Sequence, residues 1–128
     1  MKRTYLCTGL ALLVFVLAGC RGGQAQLTEG DNSSTVELAV GQELQVRLAG
    51  NPTTGYAWSL TGLDENFLQQ EGEANYESDS DLIGAGGVYT FHFKALRAGQ
   101  TSLTLAYARS FEPDVPPERV FSVDVMIR

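Results

Sequence analysis

The sequence predicts an all-β fold, a two-sheet sandwich of immunoglobulin-like type with about seven short strands. From Thr35 to the C-terminus, apolar residues recur at every second position in run after run, the period of a half-buried strand. No stretch keeps the helical period over the length a helix needs. Gly, Pro, Asn and Asp interrupt the runs at short intervals, as frequent chain reversals require. The cysteine pair of antibody domains is missing, so the likeness is architectural and the fold is expected without a disulfide.

Residues 1–19 read as a secretory signal. Lys2 and Arg3 precede a dense apolar core, Leu10 to Leu17, which is too short to span a membrane comfortably. Leu17-Ala18-Gly19-Cys20 resembles a bacterial lipobox, which implies cleavage before Cys20, diacylglycerol on its thiol and an acylated amino group. Several chains on one residue hold a membrane stably, whereas one chain is reversible. An ordinary signal peptide that happens to contain a cysteine is the other reading. Cys7 leaves with the signal and Cys20 carries lipid, so no thiol remains for a disulfide, a metal site or a nucleophile.

Residues 20–34 are rich in Gly, Gln, Ser and Asn and read as a flexible, lipidated tether. Residues 35–128 then form the one domain. Val36, Leu38 and Val40 alternate with polar neighbours, Gly41-Gln42 breaks the run, and Leu44, Val46 and Leu48 alternate in turn. This reads as a strand pair joined by a tight turn. Tyr56, Trp58 and Leu60 mark the next strand, with Trp58 expected in the core. The acidic stretch Glu71 to Asp81 admits only a short or edge strand. Tyr89, Phe91 and Phe93 share one face of the strongest strand. Leu103, Leu105 and Tyr107 follow, then Phe121, Val123, Val125 and Ile127. The prolines at 113, 116 and 117 exclude a central strand between these two.

Composition excludes several functions. Without Lys2 and Arg3 the chain has 7 basic against 15 acidic side chains, about -8. Nucleic acid needs a basic footprint, so it is not an expected partner. His92 is the one histidine and lies mid-strand among aromatics, with no activated serine beside it for a Ser-His-acid site. Glu77, Asp79 and Asp81 lack the glycine-turned loop and closing Glu of a calcium site and read as a solvated edge. No metal, cofactor or catalytic residue is assigned.

Three loops remain. Asn51-Pro52-Thr53-Thr54-Gly55 joins two strands: Pro52 fixes φ, the threonines carry hydroxyls on stiff β-branched side chains, and Gly55 permits positive φ. Alone it is either a rigid binding wedge or a structural turn. Gly84-Ala85-Gly86-Gly87 is followed by a strand rather than a helix, which excludes a phosphate loop. It is a hinge, or a place where a partner's backbone can approach closely. Arg109-Ser110-Phe111 pairs an Arg with an aromatic, the residue mix of interface anchors. Its bland reading is a packed Phe111 and a solvated Arg109.

In this order the three loops resemble those of the chagasin family, small inhibitors of papain-like cysteine proteases. Asn51 to Gly55 and Gly84 to Gly87 match the family's first two loops in full. In the third, Ser110 stands where the family has Pro, and Phe111 takes the aromatic position. The resemblance spans Thr35 to Arg128. It implies a non-enzymatic, reversible inhibitor that occludes a protease cleft with Asn51, Pro52, Thr53, Thr54, Gly55, Gly84, Ala85, Gly86, Gly87, Arg109 and Phe111. The expected protein is a monomer in the cell envelope, anchored through Cys20, at the outer membrane or facing the periplasm. The alternative from another class is a non-inhibitory envelope β-sandwich that binds another protein or builds an assembly.

Overall fold

The computed structural model describes residues 23–128. Residues 1–19, read as a signal peptide, and Cys20, read as the lipidation site, lie outside the described residues. Nine strands are present: β1 (Ala25–Leu27), β2 (Thr35–Leu38), β3 (Glu43–Gly50), β4 (Tyr56–Leu63), β5 (Leu68–Gln70), β6 (Asn75–Ser78), β7 (Gly87–Ala95), β8 (Gly99–Arg109) and β9 (Arg119–Ile127). One sheet runs β1-β3-β7-β5, with β6 also on β7, and the other runs β2-β9-β8-β4. The fold is therefore the expected all-β sandwich. The two strands beyond seven are short ones, β1 at the N-terminus and β5 in the irregular stretch, while β6 is the short strand expected within Glu71 to Asp81.

The alternating faces meet as the period predicts. Leu44, Val46 and Leu48 of β3 and Phe91 and Phe93 of β7 face Leu103 and Leu105 of β8 and Phe121, Val123 and Val125 of β9, all buried. Area removed from water, at roughly 25 cal/mol per Å², is the main favourable term here. Trp58 is buried as expected, and its indole N–H donates to the Ala49 carbonyl at 2.9 Å. His92 is half-buried and points away from the core face of β7.

Two sequence expectations are corrected. The first is the strand pair. β2 and β3 are not partners: β2 lies parallel to β9, with Val36 beside Val125, while β3 is antiparallel to β7. The turn around Gly41, at φ +85°, carries the chain from one sheet to the other. Alternation reports which face is buried, not which strand is the neighbour.

The second correction is the tether, of which residues 23–34 are described. Ala25–Leu27 is a strand parallel to β3, and Leu27 is only 7% exposed. Glu29–Asp31 forms a 3-10 turn, closed by the Asp31 carboxylate accepting from Thr28 N–H at 2.8 Å. Asn32 accepts from Ser122 N–H at 2.9 Å and donates to the Val120 carbonyl at 3.2 Å. Ser33 N–H donates to the Ser122 carbonyl at 2.7 Å. One apolar side chain in a polar segment is enough to anchor it when the rest can hydrogen-bond along sheet edges. The domain therefore includes residues that the composition reads as linker.

Candidate functional site

Register brings the three loops to one end of the sandwich. β3 runs into the first loop and β7 runs out of the second. These strands are antiparallel, and Gly50 pairs with Gly87. β4 leaves the first loop and β8 runs into the third, and Tyr56 pairs with Arg109. The three loops thus share one edge, with the first in the middle.

The first loop is a 3-10 turn at Pro52–Thr54, capped by Asn51. Asn51 is its hub. The Asn51 Oδ1 accepts from Thr53 N–H at 3.1 Å and from the Thr53 hydroxyl at 2.6 Å. Its carbonyl accepts from the Thr54 hydroxyl at 2.6 Å. Its own N–H donates to the Tyr107 hydroxyl at 2.8 Å. Pro52 has no N–H to satisfy, so it suits the first position of such a turn. Gly55 ends the turn at φ +83°, a conformation that any side chain would strain. Pro52, Thr53 and Thr54 are exposed, and Asn51 and Gly55 are half-buried.

Both neighbours are tied to this turn. The Asn51 Nδ2 donates to the Gly84 carbonyl at 2.9 Å, which joins the first loop to the second. The Arg109 Nε donates to the Thr54 carbonyl at 3.1 Å, which joins the first loop to the third. The second loop is a hairpin connection: Asp79 N–H donates to the Gly86 carbonyl at 3.0 Å, and Ala85 N–H to Leu82 at 3.2 Å. Gly84 is exposed, Ala85 and Gly86 are half-buried, and Gly87 is buried. A side chain on Gly87 would collide with the Glu77 carbonyl, so the close approach of β6 and β7 requires glycine there. In the third loop, Phe111 is 67% exposed, with one ring edge over Gly55. Arg109 is half-buried and meets Glu112 at 3.5 Å.

Beneath the loops lies a stack that the motifs do not announce. The Arg109 guanidinium sits 4.3 Å from the centre of the Tyr56 ring. Tyr56 stacks on Tyr107 at 5.3 Å, and Tyr107 packs on Trp58 at 5.2 Å. Arg119 closes the other end, 5.1 Å from the Trp58 ring. Cations over aromatic faces are attracted by the ring quadrupole. The stack supports the first loop by hydrogen bonds at Ala49, Asn51 and Thr54.

Leu82 and Ile83 were also missed. They are fully or largely exposed and lead into Gly84. The signal was present, two large apolar residues between an acidic polar stretch and a glycine-rich turn, but they have no period to mark them. With Phe111 across the first loop, they leave apolar side chains on both flanks of a polar wedge. Burial raises the Tyr89 phenol above its ordinary value, and Tyr107 and Tyr76 add to the shift. Among the described residues, no three His, Cys, Asp or Glu side chains lie together as metal ligands. Glu77, Asp79 and Asp81 are exposed.

Comparison with known proteins places this chain in a family. The model of the chagasin family of peptidase inhibitors matches residues 37–125. Chagasin of Trypanosoma cruzi is 35% identical over 89 residues, covering 66% of this chain and 80% of that protein. Amoebiasin-2 of Entamoeba histolytica is 29% identical over 103 residues, covering 80% of this chain and 84% of that protein. The crystal structure of a cysteine protease inhibitor from Entamoeba histolytica superposes with a TM-score of 0.73 at 25% identity, over 82% of this chain and 96% of that one.

Proposed function

The chain belongs to the chagasin family of peptidase inhibitors, and on that premise we propose that it is a reversible, non-enzymatic inhibitor of papain-like cysteine proteases that binds with its three-loop edge. The observation that carries the assignment of the edge is the linkage of the loops. Asn51 holds Gly84 and Thr54 accepts from Arg109, so the three loops form one rigid unit rather than three independent turns. Rigid loops lose little ordering entropy on association.

In this reading Thr53 and Thr54 enter the target's cleft. Gly84 to Gly87 lie along one wall and offer backbone groups, with Leu82 and Ile83 beside them. Arg109 and Phe111 brace the other wall. The first loop is a closed turn with its amides and hydroxyls bonded to Asn51. It does not present an extended peptide bond in a near-attack pose, so binding need not end in cleavage. Ser110 replaces the family's Pro, yet the stacking of Arg109 on Tyr56 and its bond to Thr54 hold the base of the third loop.

The anchor reading is consistent with this orientation. β1 runs parallel to β3, so Gly23 lies at the end opposite the loops, where its carbonyl accepts from the Gln42 Nε2 at 2.8 Å. A chain lipidated at Cys20 would stand with its inhibitory edge away from the bilayer, in the cell envelope. Intact mass of membrane-extracted protein tests this, and an unmodified Cys20 would remove the anchor.

Progress curves against papain, with and without dilution of the complex, test the inhibitor reading. Inhibition that reverses on dilution is expected. No inhibition at micromolar protein, or steady cleavage within residues 51–55, would overturn it.

A further inference from the structure

We infer that Glu29 is a positioning residue for the first loop, acting on the Ala49 peptide both directly and through Arg119. The inference rests on the inhibitor reading for its functional consequence. Its structural basis is independent of that reading.

β1 covers the outer edge of β3 only from Leu44 to Val46. Beyond that point β3 has no strand on this side. Ala49 is opposite Val88 in the β3–β7 register, and its peptide groups are taken by side chains. Its N–H donates to the Glu29 Oε1 at 2.6 Å. Its carbonyl accepts from the Trp58 Nε1 at 2.9 Å and from the Arg119 NH1 at 3.1 Å. The same Glu29 oxygen takes Arg119 NH2 at 2.8 Å. Glu29, Arg119 and Ala49 thus form a closed triangle. Two residues beyond Ala49 is Asn51, the hub of the first loop.

The role of each member follows from its chemistry. Arg119 lies over Trp58 and Tyr107, 5.1 and 5.5 Å from their ring centres. Attraction to two rings sets its position but leaves its rotation free, because a ring face has no preferred donor direction. The Glu29 carboxylate supplies that direction by taking one nitrogen, which aims the other at Ala49. Charge-assisted bonds of this kind are the stronger and more directional ones. Glu29 touches none of the three loops. It comes from the segment whose composition reads as tether, and this gives that segment a part in inhibition.

A loop held less firmly populates its binding-competent form less, and apparent affinity falls by that fraction. The loss appears in the association rate, because the bound target restores the loop. The triangle is partly solvated, so a change of about three- to tenfold is expected.

The test compares the full chain with its Glu29→Ala, Arg119→Ala and double variants, by association and dissociation rates with papain. Glu29→Ala should lower the association rate about three- to tenfold and leave dissociation unchanged. The double variant should lose less than the sum of the two single losses, since Glu29 acts in part through Arg119. Glu29→Gln, which keeps an oxygen for Ala49 N–H, should fall between wild type and Glu29→Ala. Leu38→Ala, buried beside Ile127 at the end opposite the loops, should lower the melting temperature without changing either rate at 25 °C, which separates positioning from stability. Amide exchange of the free proteins gives a second readout. Exchange at Asn51, Thr54 and Gly55 should quicken in Glu29→Ala while Leu103 to Leu105 stay unchanged. An unchanged association rate, an effect confined to dissociation, or additive variants would overturn the inference. If wild type fails to inhibit papain, the inhibitor reading falls, and amide exchange alone decides whether Glu29 positions the loop.

Discussion

Removing residues 1–34, to leave Thr35–Arg128, tests how far the folded unit extends. The composition of the removed part reads as linker, so the cut would seem harmless. The structure assigns it a cost. Leu27 leaves the core at 7% exposure, and full burial of such a side chain contributes about 1.5–3 kcal/mol. Three β1–β3 residue pairs are lost, with the bonds of Asn32 and Ser33 to β9. Each such bond is worth about 0.5–1.5 kcal/mol net, and water replaces much of it at an open edge. Ordering the segment costs about 1–2 kcal/mol per residue, which the shorter chain no longer bears. The polar contacts and this entropy roughly offset, and the Leu27 contribution remains, about 2–3 kcal/mol. For a domain this size, 1 kcal/mol moves the melting temperature by about 4–8 °C. Thermal unfolding followed by far-UV circular dichroism should show the truncated chain folded and β-rich but melting roughly 10–20 °C lower. Leu27→Ala in the full chain should reproduce most of that drop. A melting temperature within about 2 °C of the full chain would refute the reasoning and restore the tether. The cut also bares β3 as an unprotected edge, so the shorter chain should aggregate sooner on heating.

Other outcomes follow from the loop geometry. Thr53→Val and Thr54→Val keep the shape of each side chain and remove its bond to Asn51; each should weaken inhibition of papain about tenfold, whereas the serine variants should lose less, as fits a buried interface centre. Arg109→Ala removes the tie to Thr54 and the stack on Tyr56, and should weaken inhibition without unfolding the protein, since loop changes away from the core usually move stability little. Gly55→Ala places a side chain at φ +83° against the Phe111 ring; it should destabilise by about 1 kcal/mol or more, and near-wild-type stability and inhibition together would contradict the turn described. Tyr89 titrates above its ordinary value near 10 in the folded chain. The unfolded chain therefore loses this proton first, so the contribution is fully present below about pH 10 and lost as pH rises through the folded value. Unfolding in urea should become easier above pH 10 in wild type and less so in Tyr89→Phe.

The sequence made the sandwich legible because burial on one face writes itself as alternation, and Phe91, Phe93, Leu103 and Leu105 needed nothing more. Pairing was not legible. Val36 and Leu38 alternate in the same way beside β9 as they would beside β3, and only the chain's crossing at Gly41 decides between them. β1 was invisible for another reason. Three residues in parallel pairing have no stability of their own, and the pocket that receives Leu27 is made by residues far along the chain. Residue types on the loops were legible as chemistry, yet their linkage was not. Nothing in Asn51 to Gly55 says that Asn51 holds Gly84, 33 positions away, or that Tyr107 holds Asn51 from 56.

The threonines show what that difference does to function. As residue types, Thr53 and Thr54 offer hydroxyls that could donate or accept. In the fold both protons are turned inward, one to the Asn51 side chain and one to its carbonyl, each at 2.6 Å. What the two exposed threonines have left for a partner is acceptor capacity and methyl groups on an uncharged turn. A cleft that receives this loop must therefore supply the donors itself and a surface that accepts the methyls. A loop whose threonine hydroxyls have already donated their protons, and which presents no extended peptide, is also poorly placed to take part in chemistry at the target's nucleophile. On the proposed reading, the inward bonds that make the turn rigid are the same bonds that would make it a blocker rather than a substrate.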